Sequence, residues 1–224
     1  MTVIYYVYNI TAYAKFIKIP FVLFILSILL FGDAMPLLRS FWRYITHYFP
    51  NVGLRHLHTT LAGLIILQIL NSNLVHMTHA GAVKVGMSNT IFLWLHIILG
   101  SLTVLATIGM IIFMLTKQSF RQFFPYLFGD NAVLKDDIKQ IMKGKLPEPR
   151  EKGLGNIIQG LGIGALILIE TAALVWLVLW LSHSPYANEA REIHKSLTGL
   201  IEAYLIGHGG MALLHFFVER KRFS

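Results

Sequence analysis

Five apolar runs, at about residues 17–31, 57–77, 90–115, 157–182 and 194–218, constrain this chain more than any other feature. Most are long enough to cross a hydrocarbon core that takes about 20 helical residues. They predict an all-α transmembrane helical bundle: a four-helix core from the last four runs, plus one additional N-terminal transmembrane helix. Residues 1–50 then hold the extra helix and a cytoplasmic connection (Phe41 to Gly53, with His47 and Pro50), and residues 51–224 the four-helix domain.

Composition agrees with a polytopic membrane protein. Of 224 residues, 55% are hydrophobic and only 13% charged, with a mean hydropathy of +0.62. The N-terminal run is short, is preceded by a Tyr- and Lys-containing tract typical of an interfacial anchor, and carries no small-residue cleavage site, so an uncleaved helix is expected. The absence of cysteine excludes disulfides, thiolate-held iron–sulfur clusters and covalent c-type haem attachment, leaving histidine or methionine to hold any redox centre. The net charge of +8 does not form a basic stripe interleaved with stacking aromatics, so nucleic acid is not an expected partner.

The charge reads as topology instead. With alternating crossings, Arg39, Arg43, Arg55, the basic residues from Lys117 to Lys152, and Arg220 to Arg222 fall on one side. Lys84, Arg191 and Lys195, with Lys15 and Lys18, fall on the other. The richer side is expected to be cytoplasmic. That gives a multi-pass protein of the inner (cytoplasmic) cell membrane, with loop 117–155 and the C-terminus cytoplasmic.

Histidines carry the chemistry. His194 and His208 are fourteen residues apart in one run, about 21 Å of helical rise and within roughly 40° of the same face. Alternating directions bring His96 to the level of His194, and His58 to that of His208. Two stacked bis-histidine sites are what two b-type haems require, so His58, His96, His194 and His208 are the candidate haem-iron ligands, paired His96/His194 and His58/His208. His56 is about 200° from His58, so only one of them faces the interior. His215 competes with His208 on phase but lies at the end of the run and reads as a surface residue. His47, His76, His79 and His183 fall in loops or at interfaces.

Other residues join these sites. Gly100, Gly63 and Gly199 follow His96, His58 and His194 by four or five residues, where a missing side chain leaves room for a porphyrin edge; frequent glycine in membrane helices explains them equally well. Asn156 and Gln159 share one face at the mouth of the fourth run, where their amides are able to hydrogen-bond a quinone carbonyl. Glu170 and Glu202 lie inside apolar runs, where a carboxyl group is costly unless protonated, paired or facing water. Glu202 is about 80° from His194, so subunit contact competes with a place beside the site. In the long connection, AVLKDDIKQIMKG predicts an amphipathic helix ended by the prolines of LPEPREKG, within an otherwise solvated loop.

From Arg55 onward these residues resemble the four-helix cytochrome b subunits of membrane-bound formate dehydrogenases and nickel–iron hydrogenases, the bacterial cytochrome b561-like group. The matching motifs are Arg-x-x-His at Arg55 to His58, His-x-x-x-Gly at His96 to Gly100, and the paired His194 and His208, the latter in Leu-Ile-Gly-His. Asn156 and Gln159 resemble an Asn-x-x-Gln that lines a menaquinone site in formate dehydrogenase subunits. The resemblance implies two haem b groups. The His96/His194 haem would take electrons from an iron–sulfur partner subunit of a complex with a separate catalytic subunit, and the His58/His208 haem would exchange them with menaquinone or ubiquinone. The additional N-terminal helix departs from that pattern.

The expected function is therefore an electron-transfer, quinone-reactive subunit of a respiratory oxidoreductase, with no stand-alone catalytic site. Three alternatives stand beside it: a cytochrome with a single haem, a histidine-lined metal-ion or proton transporter, and a purely structural anchor. The transporter would call for an inverted repeat or broken helices, and neither is evident. The anchor would leave four convergent histidines unexplained.

Overall fold

The computed structural model describes residues 34–76, 86–117, 119–148 and 150–224. The N-terminal apolar run at 17–31 and His79 lie outside them. Four helices are long and apolar enough to cross a membrane: α2 (Val52–Ser72), α3 (Met87–Lys117), α6 (Leu154–Leu181) and the stretch Ala187–Arg222 that contains α7 (Ala187–Glu219). They are preceded by α1 (Ala34–Tyr48), so the connection expected at 41–53 is helical up to Tyr48. Between α3 and α6 come the short α4 (Phe120–Phe123), a 3-10 turn (Pro125–Phe128) and α5 (Ala132–Met142). Among the described residues there is no strand.

Contacts divide the described residues into two packed units, one within Phe49–Ala212 and one of α1 with Leu213–Ser224. In the larger unit α2 and α3 make the most extensive helix pair. Asn51 caps α2, its side chain accepting from Leu54 N–H at 3.0 Å. At the opposite end Asn71 Nδ2 donates to the Phe92 carbonyl (2.9 Å), while the Asn89 amide both accepts from His76 N–H and donates to its carbonyl (2.6 Å each). α2 itself stops at Ser72, short of the end of its apolar run, where the Asn73 N–H turns back to Leu70 O and the Asn73 amide to Ile69 O. All four long helices meet in one core: Leu61 and Ile65 from α2, Met110 from α3, Leu166 and Ile169 from α6, and Ile201 from α7. Outward apolar side chains such as Leu105 (65% exposed) and Val178 (66%) show that these helices are apolar all round, as lipid-facing helices are.

The loop between α3 and α6 is folded, not merely solvated. Asp137, only 1% exposed, accepts the Leu154 N–H at 2.7 Å and so caps α6 from α5. Arg150 bonds both Asp136 and Asp137, and Lys152 Nζ reaches Asp130 at 2.7 Å. The hydrogen bond from Lys152 holds the Asp130 carboxyl below the usual carboxylate range, and that from Arg150 does the same for Asp136. The prolines do not end α5. Gly144, with φ +68°, does, the Gly144 N–H reaching Ile141 O and the Lys145 N–H reaching Gln140 O in a Schellman closure.

In the smaller unit Phe216 (2% exposed) packs edge-on against Phe41 and Tyr44 of α1, with ring centroids at 5.2 and 5.6 Å. The Tyr48 hydroxyl donates to Glu219 at 2.7 Å. Burial, reinforced by that carboxylate, pushes the Tyr48 phenol up to about 12.

Candidate haem-binding site

The larger unit holds two histidine pairs. His96 near the start of α3 faces His194 near the start of α7, with ring centroids 6.5 Å apart and planes at 71°. His58 in the second turn of α2 faces His208 of α7 at 6.1 Å and 63°. With a metal–nitrogen bond of about 2 Å and a ring nitrogen roughly 1.2 Å from its centroid, two imidazoles trans on one metal hold their centroids about 6.4 Å apart. Both separations match that span. All four rings are half-buried, whereas His56 is exposed, so of that pair His58 is the inward one.

The two pairs are oriented differently. At the first, His194 Nδ1 lies 3.2 Å from the Ile169 carbonyl; a carbonyl can only accept, so Nδ1 carries the proton and Nε2 keeps its lone pair. At the second, aromatic rings flank the imidazoles. Phe49 stacks on His58 at 5.1 Å, and its carbonyl is held by Arg55 Nη1 at 3.0 Å. Tyr204, one turn before His208, lies flat against it at 5.1 Å and 8°. A Cβ on Gly162 of α6 would overlap two carbons of the Tyr204 ring, so only glycine lets that ring approach so closely.

A cavity beside the first pair is lined by His96, His194, Gly100, Gln68, Glu170 and Glu202. Glu202 thus does line the site. Glu170 is paired: the buried Thr107 hydroxyl donates to it at 2.6 Å from α3. What meets Gly100 is the Gln68 amide, 2.8 Å from where a Cβ would stand, while nothing comes within 4 Å of such an atom at Gly63 or Gly199. Gln68 Oε1 and His96 Nδ1 are buried without a hydrogen-bond partner among the described residues. Asn156 and Gln159 lie half-buried in the first turns of α6, and neither side-chain amide is hydrogen-bonded among the described residues. His215 belongs to the smaller unit and is half-buried rather than freely exposed.

Residues 50–224 match the family model described as prokaryotic cytochrome b561. The chain belongs to that family. No curated protein and no solved structure matches it. Family and helices together make this a membrane protein, and membership implies haem b and electron transfer. Histidine nitrogens are the donors such a non-covalent haem needs in a chain without cysteine.

Sequence reasoning missed Phe49, Tyr204, Thr107 and Asp137. Tyr204 had a signal in its place four residues before His208, and Gly162 in the Gly160–Gly162–Gly164 run; Phe49 and Asp137 act through tertiary contacts and had none.

Proposed function

We propose that this prokaryotic cytochrome b561 family member is a di-haem cytochrome, His96/His194 and His58/His208 being the axial ligands of two haem b groups. It passes electrons between an iron–sulfur partner subunit of a respiratory oxidoreductase and the quinone pool. The reading is supported above all by two imidazole pairs, each at the spacing of trans ligands, in one four-helix unit. Along α7 their positions differ by fourteen residues, about 21 Å of rise, so the two sites stand at different membrane depths.

Haem iron, when bound, supplies the one-electron chemistry. The chain supplies ligands, an apolar surround and orientation: Ile169 O fixes the His194 tautomer, and Phe49 and Tyr204 fix the rings at the other pair. Asn156 and Gln159, half-buried with no side-chain hydrogen bond of their own, are the groups we assign to a quinone carbonyl. The excess of Lys and Arg in loop 117–155 supports a cytoplasmic position for that end of the bundle, in the inner membrane.

The test is a dithionite-reduced minus oxidised absorption spectrum of the purified protein, with non-covalent haem counted against protein. Two b haems per chain are expected. A single haem would refute one of the two pairings, and no haem would overturn the reading.

A further inference from the structure

We propose that residues 119–128, between α3 and α5, are inserted into the membrane interface with their outward side chains against lipid acyl chains. The depth follows from Gly160. A Cβ there would come within 2.9 Å of the Phe123 carbonyl and 3.1 Å of the Phe124 ring, so α4 lies directly against the α6 backbone at that point. Gly160 is six residues beyond Leu154, about 9 Å into a helix apolar enough to span the bilayer. Phe123 (2% exposed) and the fully buried Pro125 anchor the segment at that level.

What the segment presents outward is apolar: Phe120 (46% exposed), Tyr126 (37%), Leu127 (63%) and Phe128 (51%). On α6, Leu161, next to the Gly160 that this segment covers, is itself 55% exposed. The one cation among these residues, Arg121, is turned toward Asp130 (3.7 Å) and over the Phe128 ring (5.6 Å), as a cation at the headgroup level would be. Aromatic side chains flanked by a cation at the end of an apolar span are the composition of a membrane interface, and lipid is the occupant this fits. α5 is mixed by comparison, its exposed Lys135, Asp136 and Lys139 alternating with exposed Ile138, Ile141 and Met142.

The consequence for function rests on the quinone reading above. Asn156 and Gln159 occupy the turn of α6 just before Gly160, so a lipid-dissolved quinone would reach them past these aromatics without leaving the apolar phase.

The chain has no cysteine, so single labels can be placed without background. Leu127→Cys, Phe128→Cys and Lys139→Cys would each carry a nitroxide, with the full chain in nanodiscs of phosphatidylcholine and phosphatidylglycerol. Relaxation enhancement by oxygen, which partitions into lipid, is compared with that by a water-soluble nickel chelate. Labels at 127 and 128 are expected to respond chiefly to oxygen, and the label at 139 chiefly to nickel. Equal nickel access at all three positions would overturn the proposal and leave the surface to a protein partner. The readout does not require haem. A nickel-accessible segment in a two-haem protein would therefore sink only this inference, and a lipid-buried segment in a haem-free protein only the functional reading.

Discussion

Gly162→Ala tests how tightly the His58/His208 pair is built. The new methyl carbon would overlap two carbons of the Tyr204 ring and lie 2.7 Å from its hydroxyl, while that ring lies flat on His208. If Tyr204 stays, α6 and α7 must separate, an overpacking cost of about 1–3 kcal/mol. If it swings away, the aromatic contact with His208 is forfeited, about 0.5–1.5 kcal/mol. Either response acts on one site only. At 1.4 kcal/mol per tenfold, the larger range corresponds to roughly 5- to 150-fold weaker haem retention there. The assay is haem transfer from the purified cytochrome to excess apoglobin, followed in the Soret band. The variant should lose one haem in a new fast phase and keep the other at the native rate. Gly164→Ala, two residues on with nothing within 4 Å of its Cβ, should behave like the native chain. If α6 and α7 separate, Tyr204→Ala combined with Gly162→Ala should remove the clash and slow the fast phase; if Tyr204 swings away, the double variant should match Gly162→Ala. A native rate in Gly162→Ala would refute the reasoning.

Other outcomes follow from the same geometry. His96→Ala and His208→Ala should each leave one of two haems with an unaltered spectrum, because the pairs share no residue; loss of both haems in either variant, with the helical content intact by circular dichroism, would argue against two independent sites. With haem held by these pairs, imidazole planes at 71° and 63° would leave the two iron d orbitals of π symmetry nearly degenerate, so low-temperature EPR of the oxidised protein should show strongly anisotropic low-field features; a three-line rhombic spectrum would mean near-parallel rings. The carboxyls of Asp130 and Asp136 are held below the usual range near 4, so their contribution to loop 119–154 is complete above that pH and is lost as pH falls through their lowered values. Amide protection factors in that loop, taken as exchange corrected for its intrinsic pH dependence, should therefore fall on acidification below about pH 4, and protection factors that do not change there would contradict the ion pairs.

The spans were legible because apolar runs of membrane length leave few alternatives, and their ends were not, because polar residues decide them. α7 begins at Ala187, seven residues before its expected start, since Ala190, Glu189 and Arg191 favour a helix about as well as leucine does. α2 ends at Ser72, where the Asn73 and Leu74 N–H groups close a tighter turn on Leu70 O and Asn71 O and the Asn73 amide donates to Ile69 O at 2.9 Å. The meeting of His96 with His194 and of His58 with His208 could be worked out in advance, since helical phase and alternating direction depend only on residue counting.

The surroundings of the second pair could not be counted out in this way, for a physical reason. Tyr204 and His208 are one turn apart, which places both rings on one face but leaves their stacking undetermined. The stacking also needs α6 to pass close enough that Gly162 makes room, and that closeness is set at the far end of the loop. There Asp137 captures the Leu154 N–H and fixes where α6 begins, and a Cβ at Gly153 would sit 2.7 Å from the same carboxylate. A carboxylate on a short amphipathic helix, taken alone, is an ordinary solvated charge; it becomes a cap only after α5 has folded back along α6. The sequence signal for such a place is the coincidence of glycines on one helix with an aromatic or acidic residue on another element, and Gly153, Gly160 and Gly162 mark where Asp137, Phe123 and Tyr204 reach α6.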